Sequence, residues 1–206
     1  MPSDHTIIKY LGRSDYRQTW DGMKQFTHSR DAKTQDELWI TEHAPVFTQG
    51  LNGKPEHLLD PGDIPVIQID RGGQVTYHGP GQLVLYCLVD IQRLGLGIRS
   101  FITRIEKSII ELLDQYGIEA LGRVNAPGVY VDEAKIAALG LRIRKGCCYH
   151  GLSLNIDMDL RPFERINPCG YTGLAVTQIA QFGVNPSLEQ VGRELAELLV
   201  RNMHRG

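Results

Sequence analysis

No apolar run in the chain approaches the roughly 18 residues of a membrane span, so nothing in the sequence asks for a bilayer. The N-terminus lacks the charged, apolar and small-residue regions of a secretory signal. Its four cysteines (Cys87, Cys147, Cys148, Cys169) are therefore expected to be reduced thiols in a cytoplasmic protein. A basic excess is missing too: the formal net charge is −2 and the pI near 6.4, which argues against a dedicated nucleic-acid binder. Any basic partner surface has to be local. Metal-ligand spacing is absent, with no Cys-x-x-Cys and no His-x-x-x-His, and the adjacent Cys147 and Cys148 point to opposite faces of a predicted strand. The glycine-rich stretch is not followed by Gly-Lys-Ser/Thr, so it is not a Walker loop and ATP use is not indicated. Repeats, low-complexity tracts and linkers are also lacking. Neither a cofactor nor a metal is expected.

What remains is a chain of 206 residues with 42% hydrophobic content, enough to bury a core and expected to form one domain over 1–206. Thr6 to Leu11 reads as a strand. Ser14 to about Lys33 reads as a helix that turns Tyr16, Trp20, Met23 and Phe26 toward a sheet. Strands are predicted at Glu37 to Glu42, Pro65 to Asp70 and Gln82 to Ile91, with a loop from about Leu51 to Asp63. Ile98, Phe101, Ile102, Ile105, Ile109, Leu112, Leu113 and Tyr116 follow helical spacing, and Gly117 stands where a helix C-cap belongs. Gly128 to Val131, Ala134 to Arg144 and Cys148 to Ile156 read as three further strands. A last helix runs from about Pro186 to Met203, with Ser187 and Gln190 matching a capping box. The sum is an α+β domain, a mixed β-sheet flanked by helices.

Between two of these strands lies Arg71-Gly72-Gly73-Gln74-Val75-Thr76-Tyr77-His78-Gly79-Pro80-Gly81-Gln82. Glycine lets a backbone approach a ligand closely, so the stretch reads either as a wall of a binding site or as a tight turn with incidental polar neighbours. Cys169, in Asn167-Pro168-Cys169-Gly170, occupies a loop, unlike Cys87 in mid-strand. A free thiol has a pKa near 8.5, so a nucleophilic cysteine needs a cation, a base or a helix N-terminus beside it. Lys135 interrupts the apolar run Ala134-Lys135-Ile136-Ala137-Ala138-Leu139 and is the candidate partner; the alternative is an outward-facing lysine on a half-exposed strand. His78 and His150 each follow a tyrosine and precede a glycine, and either suits a second base or a polar wall.

Taken together, Arg71 to Gln82, Lys135-Ile-Ala-Ala-Leu-Gly140, Tyr149-His-Gly-Leu-Ser-Leu-Asn155 and Asn167-Pro-Cys-Gly170 closely resemble the octanoyltransferases of lipoate biosynthesis. The likeness spans nearly the whole chain, with four blocks in the right order. It implies a fold like the catalytic domains of biotin and lipoate protein ligases. It also implies an octanoyl-acyl-carrier protein donor, and as acceptor a lysine on a lipoyl domain of a 2-oxoacid dehydrogenase subunit or on the glycine cleavage H protein. On the family pattern Cys169 carries the acyl group as a thioester and Lys135 lowers the thiol pKa. The substrate wall would be Arg71, Gly72, Gly73, Gln74, Val75, Thr76, Tyr77 and His78, with Ala138, Leu139 and Gly140, and Gly151, Leu152 and Ser153. Backbone N–H groups near Gly72-Gly73 or Gly151-Leu152 are the expected oxyanion donors.

Overall fold

The structure is a computed structural model that describes residues 6–204. Its main sheet has seven strands: β1 (Ile7–Ser14), β2 (Glu37–His43), β6 (Gln82–Asp90), β7 (Leu121–Gly122), β8 (Gly128–Val131), β9 (Ala134–Arg144) and β10 (Cys147–Asn155). They lie in the order β1-β2-β6-β10-β9-β8-β7. Only the β1–β2 pair is parallel, so the sheet is mixed. A second sheet holds β3 (Val46–Gln49), β4 (Val66–Gln68) and β5 (Val75–His78) in the order β4-β3-β5. The glycine-rich stretch therefore carries a strand of its own rather than bridging two others. Its partner is β3, just ahead of the expected loop.

Alternation along β6 sorts the layers. Leu83, Leu85, Cys87 and Val89 face the largest core, which also takes Phe101, Ile105, Ile109 and Leu112 of α2 (Ile98–Gln115) and Val191, Leu195 and Leu199 of α3 (Leu188–His204). Val84, Tyr86 and Leu88 face the other way, onto Met23 of α1 (Tyr16–Ser29) and Tyr149. The sheet thus has helices on both faces. Among the described residues, no helix is long and apolar enough to cross a membrane.

Local chemistry sets the helix ends. Asp15 caps α1, its carboxylate accepting from Gln18 N at 2.9 Å. α2 stops at Gly117, whose φ of 73° suits the left-handed region; Gly117 N donates to Asp114 O and Ile118 N to Leu113 O, both at 2.9 Å, a Schellman closure. At α3 the predicted capping box is half made. Ser187 Oγ accepts from Gln190 N at 3.2 Å, but the Gln190 side chain donates to Glu194 instead.

One irregularity places the site. From Val129↔Ala137 the β8–β9 register jumps to Tyr130↔Lys135, leaving Ile136 as an extra residue in β9. Strict alternation would put Lys135 on the same face as Ala137, which is in the main core. The bulge changes that: Ile136 and Ala137 both lie in the main core, and Lys135 lines the recess that holds Cys169.

Candidate active site

Cys169 sits in a 3₁₀ turn, Pro168–Gly170, with a left-handed φ of 57° that is uncommon for a residue with a side chain. The turn is pinned by Asn167 N donating to His57 O at 2.8 Å and Gly170 N to Asn167 O at 2.9 Å. A few residues on, the chain runs alongside the start of β9: Lys135 N donates to Ala175 O at 2.8 Å and Thr177 N to Lys135 O at 3.0 Å. That pairing delivers the lysine to the cysteine. Lys135 Nζ donates to Cys169 Sγ at 3.2 Å and to Pro127 O at 3.3 Å. Lys135 is 4% exposed, so the outward-facing alternative is excluded, whereas Cys169 is half-buried and open to the cleft. Burial works to lower the Lys135 pKa, but the charges of Cys169 and Tyr130 outweigh it and hold the pKa above its ordinary value.

A small cleft of about 50 Å³ opens beside Cys169. Arg71, Gly73 and Gln74 line it from the segment leading into β5 and Val75, Thr76 and His78 from β5 itself, facing Ala138, Leu139, Gly140, Gly151, Leu152 and Ser153 from the main sheet. Lys135 enters the adjoining recess, which it shares with Cys169, Thr76, Ala138 and Ser153. Two expected wall residues stand apart. Gly72 N is held by Leu141 O at 3.0 Å, and Tyr77 points to the other side of β5, its ring centroid 5.5 Å from those of Phe47 and Phe163.

Of the four expected backbone oxyanion donors, three are held by other backbone groups, while Gly73 stays on the cleft wall. Gly72 N is already bonded, and Gly151 and Leu152 lie in β10, which is hydrogen-bonded to β6 on one side and β9 on the other. Gly151 is glycine for a packing reason: a Cβ there would meet Leu85 O at 2.0 Å.

Polar groups organise the cleft floor. Buried Arg71 donates to Gly72 O and Thr48 O, each at 2.8 Å, and to Thr48 Oγ1 at 3.1 Å. Burial lowers its pKa, opposed by Tyr16, Cys169 and Tyr86. His78 shares a 2.7 Å hydrogen bond with Gln82 Oε1. Burial and the nearby His43 push its pKa down to about 3, so His78 is neutral at physiological pH. Gln82 donates on to Asn155, and Asn155 to Thr177 O, both at 2.9 Å, so the chain of bonds returns to the segment paired with Lys135. His150, at φ 60°, bonds Asp70 at 3.0 Å. Asp70 also accepts from Trp20 at 2.8 Å and from Tyr149. Burial lowers the His150 pKa against the pull of Asp70.

Tyr16, Val84 and Tyr86 line the cleft as well and were not singled out in the sequence as site residues. Tyr16 carried only the signal of a sheet-facing helix position, and Val84 and Tyr86 that of a buried strand.

A thiol held by a buried ammonium at the mouth of a mostly apolar cleft suits acyl transfer through a thioester. Solved structures of similar fold include lipoate and biotin protein ligases. A lipoate-protein ligase A bound with ATP aligns at a TM-score of 0.81 with 18% identity, over 97% of this chain and 86% of that one. Biotin protein ligase from Aquifex aeolicus, in complex with biotin and ATP, aligns at 0.63 with 13% identity over 96% and 70%. Sequence narrows the class. Residues 15–199 match the lipoyl protein ligase A/B catalytic domain family. An octanoyltransferase from Chromobacterium violaceum is 60% identical over 197 residues, 96% of this chain and 95% of that one. This chain belongs to the lipoyl protein ligase A/B catalytic domain family, among its octanoyltransferases, and is an acyltransferase.

Proposed function

We propose that the protein moves an octanoyl group from octanoyl-acyl-carrier protein to Cys169, and from Cys169 to a lysine of lipoyl-dependent proteins in the cytoplasm. The acceptors would be lipoyl domains of 2-oxoacid dehydrogenase subunits and the glycine cleavage H protein. The observation that carries this reading is the 3.2 Å contact of Lys135 Nζ with Cys169 Sγ at the edge of the cleft.

In the first half-reaction the Cys169 thiolate attacks the donor thioester carbonyl. The tetrahedral intermediate collapses by breaking the bond to the carrier's sulfur, which takes a proton from the Lys135 ammonium. One thioester replaces another, so this step is nearly isoenergetic. In the second, the acceptor lysine's amine attacks the acyl-enzyme, neutral Lys135 takes its proton, and the Cys169 thiolate leaves. Amide, ammonium and thiolate result, and the pair is reset. For the oxyanion of both intermediates, the cleft wall beside Cys169 offers the hydroxyls of Thr76 and Ser153.

The opposing influences on Lys135 suit its two roles. The Cys169 charge is the foremost influence raising the Lys135 pKa, and burial the largest lowering it. Acylation removes the thiolate charge and leaves burial in place. The ammonium that served as acid is thereby readied to act as base.

Intact-mass spectrometry after mixing with octanoyl-acyl-carrier protein tests the reading. An octanoyl adduct is expected on the native protein and none on Cys169→Ala, which should keep its fold because a turn cysteine removes little packing. Transfer by Cys169→Ala at the native rate would reject the thioester route. Octanoylation that requires ATP and leaves no adduct would favour a ligase instead.

A further inference from the structure

Behind the Lys135–Cys169 pair, one acidic side chain of α2 is built into the site. Glu106 follows Ile105 in the helix, and its Oε1 accepts from Gly128 N at 2.9 Å. The carbonyl of that same peptide, Pro127 O, accepts from Lys135 Nζ at 3.3 Å. A single peptide group therefore has Glu106 on its N–H and Lys135 on its C=O. Gly128 makes room for this: its φ is 144°, and a Cβ there would lie 3.0 Å from Lys135 Cε and 3.2 Å from Nζ.

We infer that Glu106 is a positioning residue for Lys135, acting through the Pro127–Gly128 peptide. A peptide group is planar and close to rigid, so fixing its N–H fixes the direction of its C=O. A lysine side chain is a point charge on a flexible four-carbon stem and needs such an anchor to hold one direction. A carboxylate on the N–H also polarises the peptide and strengthens the carbonyl as an acceptor. The sequence Glu106, Gly128 N–H, Pro127 C=O, Lys135 Nζ, Cys169 Sγ is then a continuous set of contacts from α2 to the thiol.

The charged and titratable groups around this set are few. Lys135 Nζ lies 5.2 Å from the Tyr130 ring centroid, and Arg123 covers that ring at 4.2 Å. Arg71 interacts electrostatically with Cys169, and His57 lies against Gly170. Burial raises the Glu106 pKa, opposed by the bond from Gly128 and the charge of Lys135.

The inference rests on the roles proposed for Lys135 and Cys169. Its test is iodoacetamide alkylation of Cys169 across pH, read by peptide mass, on the native protein, Glu106→Ala, Glu106→Gln and the Glu106→Ala/Lys135→Ala pair. Because no acyl donor is present, this comparison stands even if octanoyl transfer itself fails. Glu106→Ala is expected to slow alkylation at neutral pH by about tenfold, the factor that goes with one unit of displacement. The profile should move to higher pH, and kcat should fall with little change in KM for the acceptor. Glu106→Gln keeps an oxygen for Gly128 N and is expected to recover most of the loss. In the Lys135→Ala background, Glu106→Ala should add nothing. A native profile in Glu106→Ala, a Gln variant as impaired as Ala, or an additive loss in the double variant would each overturn the inference.

Discussion

Lys135 and Cys169, 34 residues apart in sequence, meet at 3.2 Å because the backbone on either side of Val176 pairs with Lys135 itself. The pair is thus held by main-chain hydrogen bonds as well as by its own contact.

Replacing Lys135 with Ala removes the cation beside the thiol, and alkylation of Cys169 at neutral pH should slow by about tenfold or more. Octanoyl transfer should fall by roughly 10²–10⁴-fold, the usual worth of a positioned acid–base group. Lys135→Arg should stay poor, since a guanidinium can face a thiolate but does not give up its proton. The sign of the pH dependence also follows. The raised Lys135 pKa keeps the acid form at neutral pH for the first half-reaction, and loss of the thiolate lets it fall for the second. Single-turnover profiles should show the second half-reaction gaining rate at a lower pH than the point where the first loses it. Alkylation with an unchanged profile in Lys135→Ala would remove the lysine from the site.

Gly151 and Leu85 are too close for any side chain between them, since a Cβ at 151 would sit 2.0 Å from a backbone oxygen. Gly151→Ala must push β10 away from β6 in the middle of the sheet. Overpacking of this kind costs about 1–3 kcal/mol, or roughly 2–12 °C in Tm for a chain of this size. Thermal unfolding checks it, and a Tm equal to the native value would refute the close approach.

Arg142 and Arg144 share one face near the end of β9 and are both exposed, with Lys145 at the adjoining turn. With the acyl-carrier protein proposed above as donor and an acidic face on it, replacing both arginines with Glu should slow its association and flatten the salt dependence, since rim charges act chiefly on encounter. Transfer from a small octanoyl thioester should be nearly unaffected. Equal losses with both donors would show that these arginines serve the fold or the chemistry instead.

Periodicity made α2 legible to its last turn, because eight apolar positions and Gly117 all obey one local rule. Lys135 was legible as an oddity among alanines and as the candidate partner of Cys169, but their meeting was not, because a contact made through loop pairing leaves no trace in spacing. β3 was lost because its four residues, Val46–Gln49, have strand character mainly in the company of β5. Tyr77 was placed in the wall with its neighbours, although period-two geometry already separates it from Thr76 and His78. Three of the four expected oxyanion donors are engaged elsewhere, for a different reason. Glycine in a motif suggested free N–H groups, whereas at Gly151 it answers to the nearness of Leu85.

A strand has something like a reading frame, and in β9 the extra residue at Ile136 shifts it. Were Ile136 paired in strict alternation instead of bulged, the same side chains would turn the ammonium of Lys135 inward among apolar neighbours. There, an unpaired charge carries a penalty of several kcal/mol. The two arrangements share one composition and differ only by one residue's worth of phase. For this chain the pairing register of β9 decides the site as much as the side chains it carries.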